Sequence, residues 1–264
     1  MTAGDRDWRK ELAAFFETRS RDVRGRPLSD IELCWVSGRE PRLWSDPALY
    51  GDLVDGVTRE LDLRDTQRIL EMGCAAGFLA RGLAPRAAGY VGVDLSVTAL
   101  RVARSLGLGN ARFVQADGAA LPFASGAFDR AISYDVFTNF AEWTTAEAVV
   151  VEMVRTVRPG GRVMVGSLGD EETRGEFEAV AQEVGRRLDA EHGPLPAPPA
   201  GSRPSRWWPW RRRDAGRIVC YFFKRRDFVD LGARLGLSTR VTELHPRHPY
   251  RGYRFNVVYT RPDA

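Results

Sequence analysis

The chain has 264 residues, of which 44% are hydrophobic and 28% charged, the proportions of a soluble globular protein with room for one large α/β domain or two small ones. No apolar run approaches the roughly 20 residues of a membrane span, and the charged start at Asp5, Arg6 and Asp7 lacks the apolar core of a secretory leader, so a cytoplasmic protein is expected. The net charge of +4 is uneven: residues 201–226 hold nine basic side chains and one acid, Asp214, which leaves the rest of the chain mildly acidic.

Residues 1–66 read as an N-terminal helical cap. Leu12, Phe15 and Phe16 sit at helical spacing within residues 7–19. Leu49, Leu53, Val57 and Leu61 recur every four residues, behind an Asp46 N-cap and a proline at the first helical position. From residue 67 to 264 short apolar runs alternate with helices. Strands are predicted over 68–73, 89–94, 111–117, 128–134 and 162–167. Helices are predicted over 78–84, from a Ser96 N-cap to Gly107, and behind a Thr144/Glu147 capping box until Pro159-Gly160-Gly161 breaks the pattern. That alternation means βαβ units and a parallel sheet.

A further helix is expected over 172–191. Six prolines (Pro194, Pro196, Pro198, Pro199, Pro204, Pro209) then make an extended loop, within an insertion at about 170–216. Regular structure is expected to resume at 218–223, with Asp227 capping a helix over 228–235. Strands over 239–244 and 255–260 form a closing hairpin. The fold class is α/β: a Rossmann-like seven-stranded sheet, mostly parallel with an antiparallel closing strand, and helices on both faces.

The first strand ends in Glu71-Met72-Gly73-Cys74-Ala75-Ala76-Gly77 and turns directly into a helix. Glycine there lets backbone approach a ligand closely. The second strand ends in Asp94, placed to accept from both hydroxyls of a ribose, and the third in Asp117-Gly118. In a parallel sheet these ends share one edge, which argues for a nucleoside ligand. A dinucleotide fingerprint would need glycine where Ala75 and Phe78 stand, and no phosphate-binding Gly-Lys-Ser/Thr is present, so a ligand without phosphates fits better. Cys34, Cys74 and Cys220 are too far apart and too few for a disulfide framework or a zinc cluster, and no metal is expected. Cys74 reads as a small packing residue.

Glu71 to Gly77, Val93-Asp94-Leu95-Ser96, Ala116-Asp117-Gly118 with Leu121-Pro122-Phe123 and Phe128-Asp129, and Val157-Arg158-Pro159-Gly160-Gly161-Arg162 resemble, in order, the motifs of class I S-adenosylmethionine-dependent methyltransferases of the small-molecule, type 11-like kind. The resemblance covers roughly residues 45–170. It implies S-adenosylmethionine as methyl donor and S-adenosylhomocysteine as product. Glu71 would anchor the methionine end, and Gly73, Cys74, Ala75 and Gly77 would line methionine and ribose. Asp94 would hold the ribose hydroxyls with Leu95 against the adenine, and Asp117, beside Gly118, would accept from the adenine amino group. Ser133 or Tyr134 would border the sulfonium, and Tyr50 or Trp44 would close over the cofactor. Ala75 departs from the glycine common in the family, which predicts a slightly shifted loop with binding retained.

The acceptor is less legible. His245 and His248, between the last two strands, and Asp135, after the fourth, are candidate bases for proton removal. Trp207, Trp208, Trp210 and Arg211 combine stacking faces and charge. They suit a lid over a small, anionic acceptor, a docking surface for RNA or protein, contact with anionic lipid, or a solvated loop packed on the body. The leading expectation is O- or N-methylation of a small molecule in specialised metabolism. An RNA or protein methyltransferase and a non-catalytic S-adenosylmethionine-binding regulator are the alternatives. The short patch on an otherwise acidic chain disfavours nucleic acid.

Overall fold

The computed structural model describes residues 8–21, 23, 27–193 and 221–263. Four helices come first: α1 (Trp8–Arg21), α2 (Asp30–Val36), α3 (Pro41–Trp44) and α4 (Pro47–Leu61). Then follow β1 (Arg68–Met72), α5 (Ala80–Leu83), β2 (Gly89–Asp94), α6 (Val97–Ser105), β3 (Ala111–Gln115), β4 (Phe128–Tyr134), α7 (Trp143–Thr156), β5 (Val157–Asp170) and α8 (Arg174–His192). After the undescribed segment come β6 (Phe222–Phe223), α9 (Arg225–Arg234), β7 (Ser238–Glu243) and β8 (Arg254–Thr260).

The strand order is β3-β2-β1-β4-β5-β8-β7, with β6 paired to the end of β5. Strands β1 to β5 are mutually parallel, while β8 runs antiparallel to both β5 and β7. The chain steps outward from β1 to β3 and then returns to β4 on the other side of β1. That reversal opens a crevice at the C-terminal ends of β1, β2 and β4, where open α/β sheets bind ligands. Successive residues of a strand face opposite sides. Thus Ile69 enters the core beneath α4 and α5 with Leu53, Val57 and Leu61, while Leu70 enters the core beneath α7 and α9 with Met153 and Phe228.

The predicted cap helix is present as α4, with the Asp46 side chain accepting from the Ala48 N–H and the four leucine and valine positions buried. Ser96 caps α6 through the Ala99 N–H. Several local expectations are corrected. The helix expected over 78–84 shrinks to one turn, α5, followed by a 3-10 turn at Ala84–Arg86. The Thr144/Glu147 box does not form: α7 starts earlier, behind Glu142, and Glu147 pairs with Arg234 instead. Pro159-Gly160-Gly161 does not separate helix from strand. It lies in the irregular opening of β5, where the Gly160 N–H bonds to Pro262 and Gly161 accepts from Arg261. Asp227 sits inside the first turn of α9, where its charge suits the helix dipole, and Lys224 occupies the N-cap. The two-residue β6, within the stretch 218–223 where regular structure is expected to resume, makes an eighth strand. The proline-rich run and residues 218–220 lie outside the described residues. Among the described residues, no helix is long and apolar enough to cross a membrane.

One buried arginine fastens the cap to the sheet. Arg130 on β4 is 4% exposed and donates to the carbonyls of Leu61 and Asp62, at the C-terminal end of α4. It satisfies carbonyls that a helix end leaves open. Arg130→Met keeps the apolar stem but strands those buried carbonyls. We expect a loss of about 2 to 4 kcal/mol, read as a lower urea midpoint at unchanged slope.

Candidate functional site

The turn after β1 is built around a buried acid and a backbone that carries no side chain at one point. Glu71 is 2% exposed, and its Oε2 has no hydrogen-bond partner. Burial, with nearby Asp94 adding to it and Arg39 opposing it, pushes its carboxyl up to about 8. Gly73 has φ +80°, and a Cβ there would come within 2.5 Å of Val136. The amides of Gly73 and Cys74 bond to Val93 on β2, which holds the loop against the neighbouring strand. Asp94 accepts from the amides of Ala75 and Ser96 at 2.9 Å each. The Leu95 amide also bonds to this carboxylate, so of its roughly four acceptor positions about one remains for a ligand. Ala75 takes φ +44° without displacing its amide from Asp94, so the alanine is accommodated.

Glu71, Ala75 and Asp94 line a cavity of about 200 Å³, together with Gly73, Cys74, Phe78, Tyr134 and Val136. Helix α1 covers it through Leu12, Phe15, Phe16 and Arg19, and α8 adds Val184, Gly185 and Leu188. The Arg19 guanidinium lies over the rings of Phe15 and Trp35, and burial lowers its pKa to about 10. Arg42 on α3 ties the cap to α8 through Asp189 and the Gly193 carbonyl.

Beyond Tyr134 the cavity ends in a charged hub. Asp135, at the end of β4, accepts from Arg39 Nη1 at 2.9 Å and Arg254 Nη1 at 2.6 Å, and Ser167 Oγ donates to it at 3.3 Å. Burial alone would raise its carboxyl, but Arg254 and Arg39 outweigh that and hold it below the usual range. Asp135 and Ser167 both have left-handed backbone, at φ +62° and +60°, which costs about 1 kcal/mol or more for each non-glycine residue. Arg39 also donates to the Tyr134 carbonyl and lies over the Phe78 ring at 4.9 Å. His248 is 7% exposed, beside Trp44 and Tyr250. Burial, reinforced by Arg254, drops its imidazole to about 3, so it is neutral at ordinary pH.

Of the candidates read from sequence, Glu71, Gly73, Cys74, Ala75, Asp94, Tyr134, Asp135, His248 and Trp44 line this cavity. The others do not. Gly77 packs on Leu106 and Gly118 on Met72. Leu95 bonds to Asp94 through its amide and to Gln115 through its carbonyl. Ser133 is fully buried, and Tyr50 donates to the Phe78 carbonyl and braces that ring from behind. Asp117 accepts from Arg9 of α1 and from the Ala119 amide. His245 pairs with Asp52 in a second cavity, of about 310 Å³, which shares Trp44, Tyr134 and His248 with the first. Trp207, Trp208, Trp210 and Arg211 lie outside the described residues. The side chains that sequence reasoning missed are Arg39, Arg254, Ser167 and Phe78. With 37 arginines in the chain, two functional ones had no compositional contrast. Among the described residues no cluster could hold a metal ion.

Comparison with known proteins follows the same residues. The family described as "Methyltransferase domain" matches residues 70–165. A demethylmenaquinone methyltransferase of Thermus thermophilus is 40% identical over 105 residues, which span 38% of this chain and 46% of that protein. An uncharacterized methyltransferase of a Mycobacterium species (strain KMS) is 30% identical over 175 residues, 60% of this chain and 68% of that protein. The chain thus spans about half the length of the first relative and two thirds of the second. The fold is similar to that of geranyl diphosphate C-methyltransferase from Streptomyces coelicolor, solved with S-adenosylhomocysteine, at a TM-score of 0.61 and 13% identity, over 98% of this chain and 100% of that one.

Glu71 gives the site a pH signature. A carboxyl protonated in the fold but ionised when unfolded makes stability fall as pH rises from 4.5, its ordinary value, to about 8, its value in the fold. Glu71→Gln cannot ionise. Its stability relative to the parent protein is expected to climb across that window and level off above it, as read from urea midpoints against pH. Parallel curves would contradict the assignment.

Proposed function

Because the chain belongs to the class I S-adenosylmethionine-dependent methyltransferases, we propose that it transfers the methyl group of S-adenosylmethionine to a small-molecule acceptor held under helices α1 and α8. The observation that carries this reading is the continuous cavity that runs from Glu71 and Asp94 at the sheet edge to the Asp135 hub. The first end suits the cofactor. The unpartnered buried Glu71 Oε2 fits an ammonium such as that of a methionine. The remaining acceptor position of Asp94 fits a ribose hydroxyl, and the bare Gly73 backbone permits close approach. Asp117, which accepts from Arg9, is the residue the family resemblance assigns to the adenine amino group.

When bound, S-adenosylmethionine supplies a methyl carbon already activated by the sulfonium. The chain's task is then to align the acceptor with that carbon and to exclude water. The covering residues Phe15, Phe16, Leu43 and Leu188 suit the second role. A small acceptor is supported by the confined space between α1, α3 and α8, and by a relative whose name makes demethylmenaquinone its substrate.

Two measurements test this. Calorimetry should register S-adenosylmethionine binding that Asp94→Ala weakens at least about tenfold. Below pH 8, an ammonium facing Glu71 draws it to the carboxylate, so binding should release protons and the heat should depend on the buffer. With methyl-labelled cofactor and a cell extract, label is expected in the small-metabolite fraction. Label in RNA or protein would overturn the acceptor class.

A further inference from the structure

The acceptor end of the cavity contains donors and no available base. Four carboxylates line the cavity among the described residues: Glu40, Glu71, Asp94 and Asp135. Glu40 accepts from the amide and the guanidinium of Arg42. Glu71 and Asp94 lie at the cofactor end. Asp135 is clamped by two arginines and Ser167. That leaves His248, whose Nδ1 accepts from the Tyr250 amide at 3.1 Å. A neutral imidazole has one donor nitrogen and one acceptor nitrogen. With Nδ1 accepting, the proton resides on Nε2, so His248 presents an N–H rather than a lone pair.

We propose that the acceptor is an acidic hydroxyl, a phenol or an enol, that binds as its oxygen anion, with His248 Nε2–H donating to that oxygen beside the Arg39 and Arg254 guanidiniums. This deepens the methyltransferase reading above and rests on it. The charged groups facing His248 are Arg254 from β8, Asp135 from the end of β4, Arg39 from the cap and His245 from its own loop. With Trp44 and Tyr250 packed around it, the imidazole is held neutral, which keeps it a donor across the working pH range. The acceptor's proton leaves to solvent on binding. An oxygen lone pair then forms the O–CH3 bond while the S–CH3 bond breaks and its electron pair returns to sulfur. Charge balances, and no base is needed in the transfer step. An amine acceptor, in contrast, would meet two guanidiniums and an imidazole N–H, with no free carboxylate or imidazole lone pair to take its proton.

The test uses 4-nitrophenol, whose anion absorbs visible light, and 4-nitroaniline as its neutral counterpart, with the full chain. The bound nitrophenol is expected as the anion, with an apparent pKa about one unit lower than in water. Nitroaniline is expected to bind at least about tenfold more weakly. His248→Gln places an amide N–H near the Nε2 position and is expected to keep nitrophenolate binding within about threefold. His248→Asn removes that donor and is expected to weaken binding about tenfold. Neutral bound nitrophenol, equal binding of nitroaniline, equal losses in the two variants, or no binding of either probe would overturn the proposal. Calorimetry with S-adenosylmethionine on the same preparations separates the two readings. Loss of cofactor binding in the parent protein defeats the methyltransferase reading, whereas intact cofactor binding without preference for the anion defeats only this one.

Discussion

The Asp135 carboxylate is where the helical cap, the parallel sheet and the closing hairpin meet. Arg39 reaches it from the cap, Ser167 from β5 and Arg254 from β8. The contact is reached at a backbone cost, since Asp135, just past β4, and Ser167, at a bulge within β5, both adopt left-handed geometry. Removing one member of such a buried arrangement typically costs about 3 to 5 kcal/mol, because the remaining charges lose their partners. That exceeds the worth of the cap's exposed pairs, such as Arg64–Asp62, by several fold. The hub fixes the roof of the cavity and at the same time makes the Asp135 carboxylate a weaker base than an unpaired one.

The two ends of the cavity are electrostatically distinct. At the sheet edge, Glu71 is raised by burial and can turn anionic when a cation arrives. At the hub, Arg254 and Arg39 hold the Asp135 carboxyl below its usual range, and His248 is neutral at ordinary pH. In the proposed reaction, a cationic cofactor at the first end and an oxygen anion at the second would attract each other. Between them, Tyr134, Phe78 and Trp44 exclude water and lower the local dielectric, which strengthens both interactions.

The sheet was legible in the sequence because its central strands β1 and β4 are buried on both faces and read as apolar runs bounded by turn residues. The Glu71–Gly77 turn, Asp94 and the Asp46 and Ser96 caps were legible for a related reason: each depends on residues adjacent in the chain. The hub was not. Arg39 and Asp135 are 96 positions apart, Asp135 and Arg254 are 119 apart, and only the fold brings them together. Local signals misled where tertiary contacts outweighed them. Glu147 joined Arg234 rather than a capping box, and Pro159-Gly160-Gly161 was absorbed into β5 by pairing with the C-terminal segment. His245 and His248 looked equivalent in sequence. The structure puts one on Asp52 and the other under Trp44, and only His248 reaches the cavity that Glu71 and Asp94 line.

The most direct test of this account is hydrogen exchange on Asp135→Asn against the parent protein. If the hub holds the cap over the cavity, amides of α1, α2 and α3 should exchange at least about tenfold faster in the variant while β1 and β4 keep their protection. Equal protection of the cap in both proteins would contradict it.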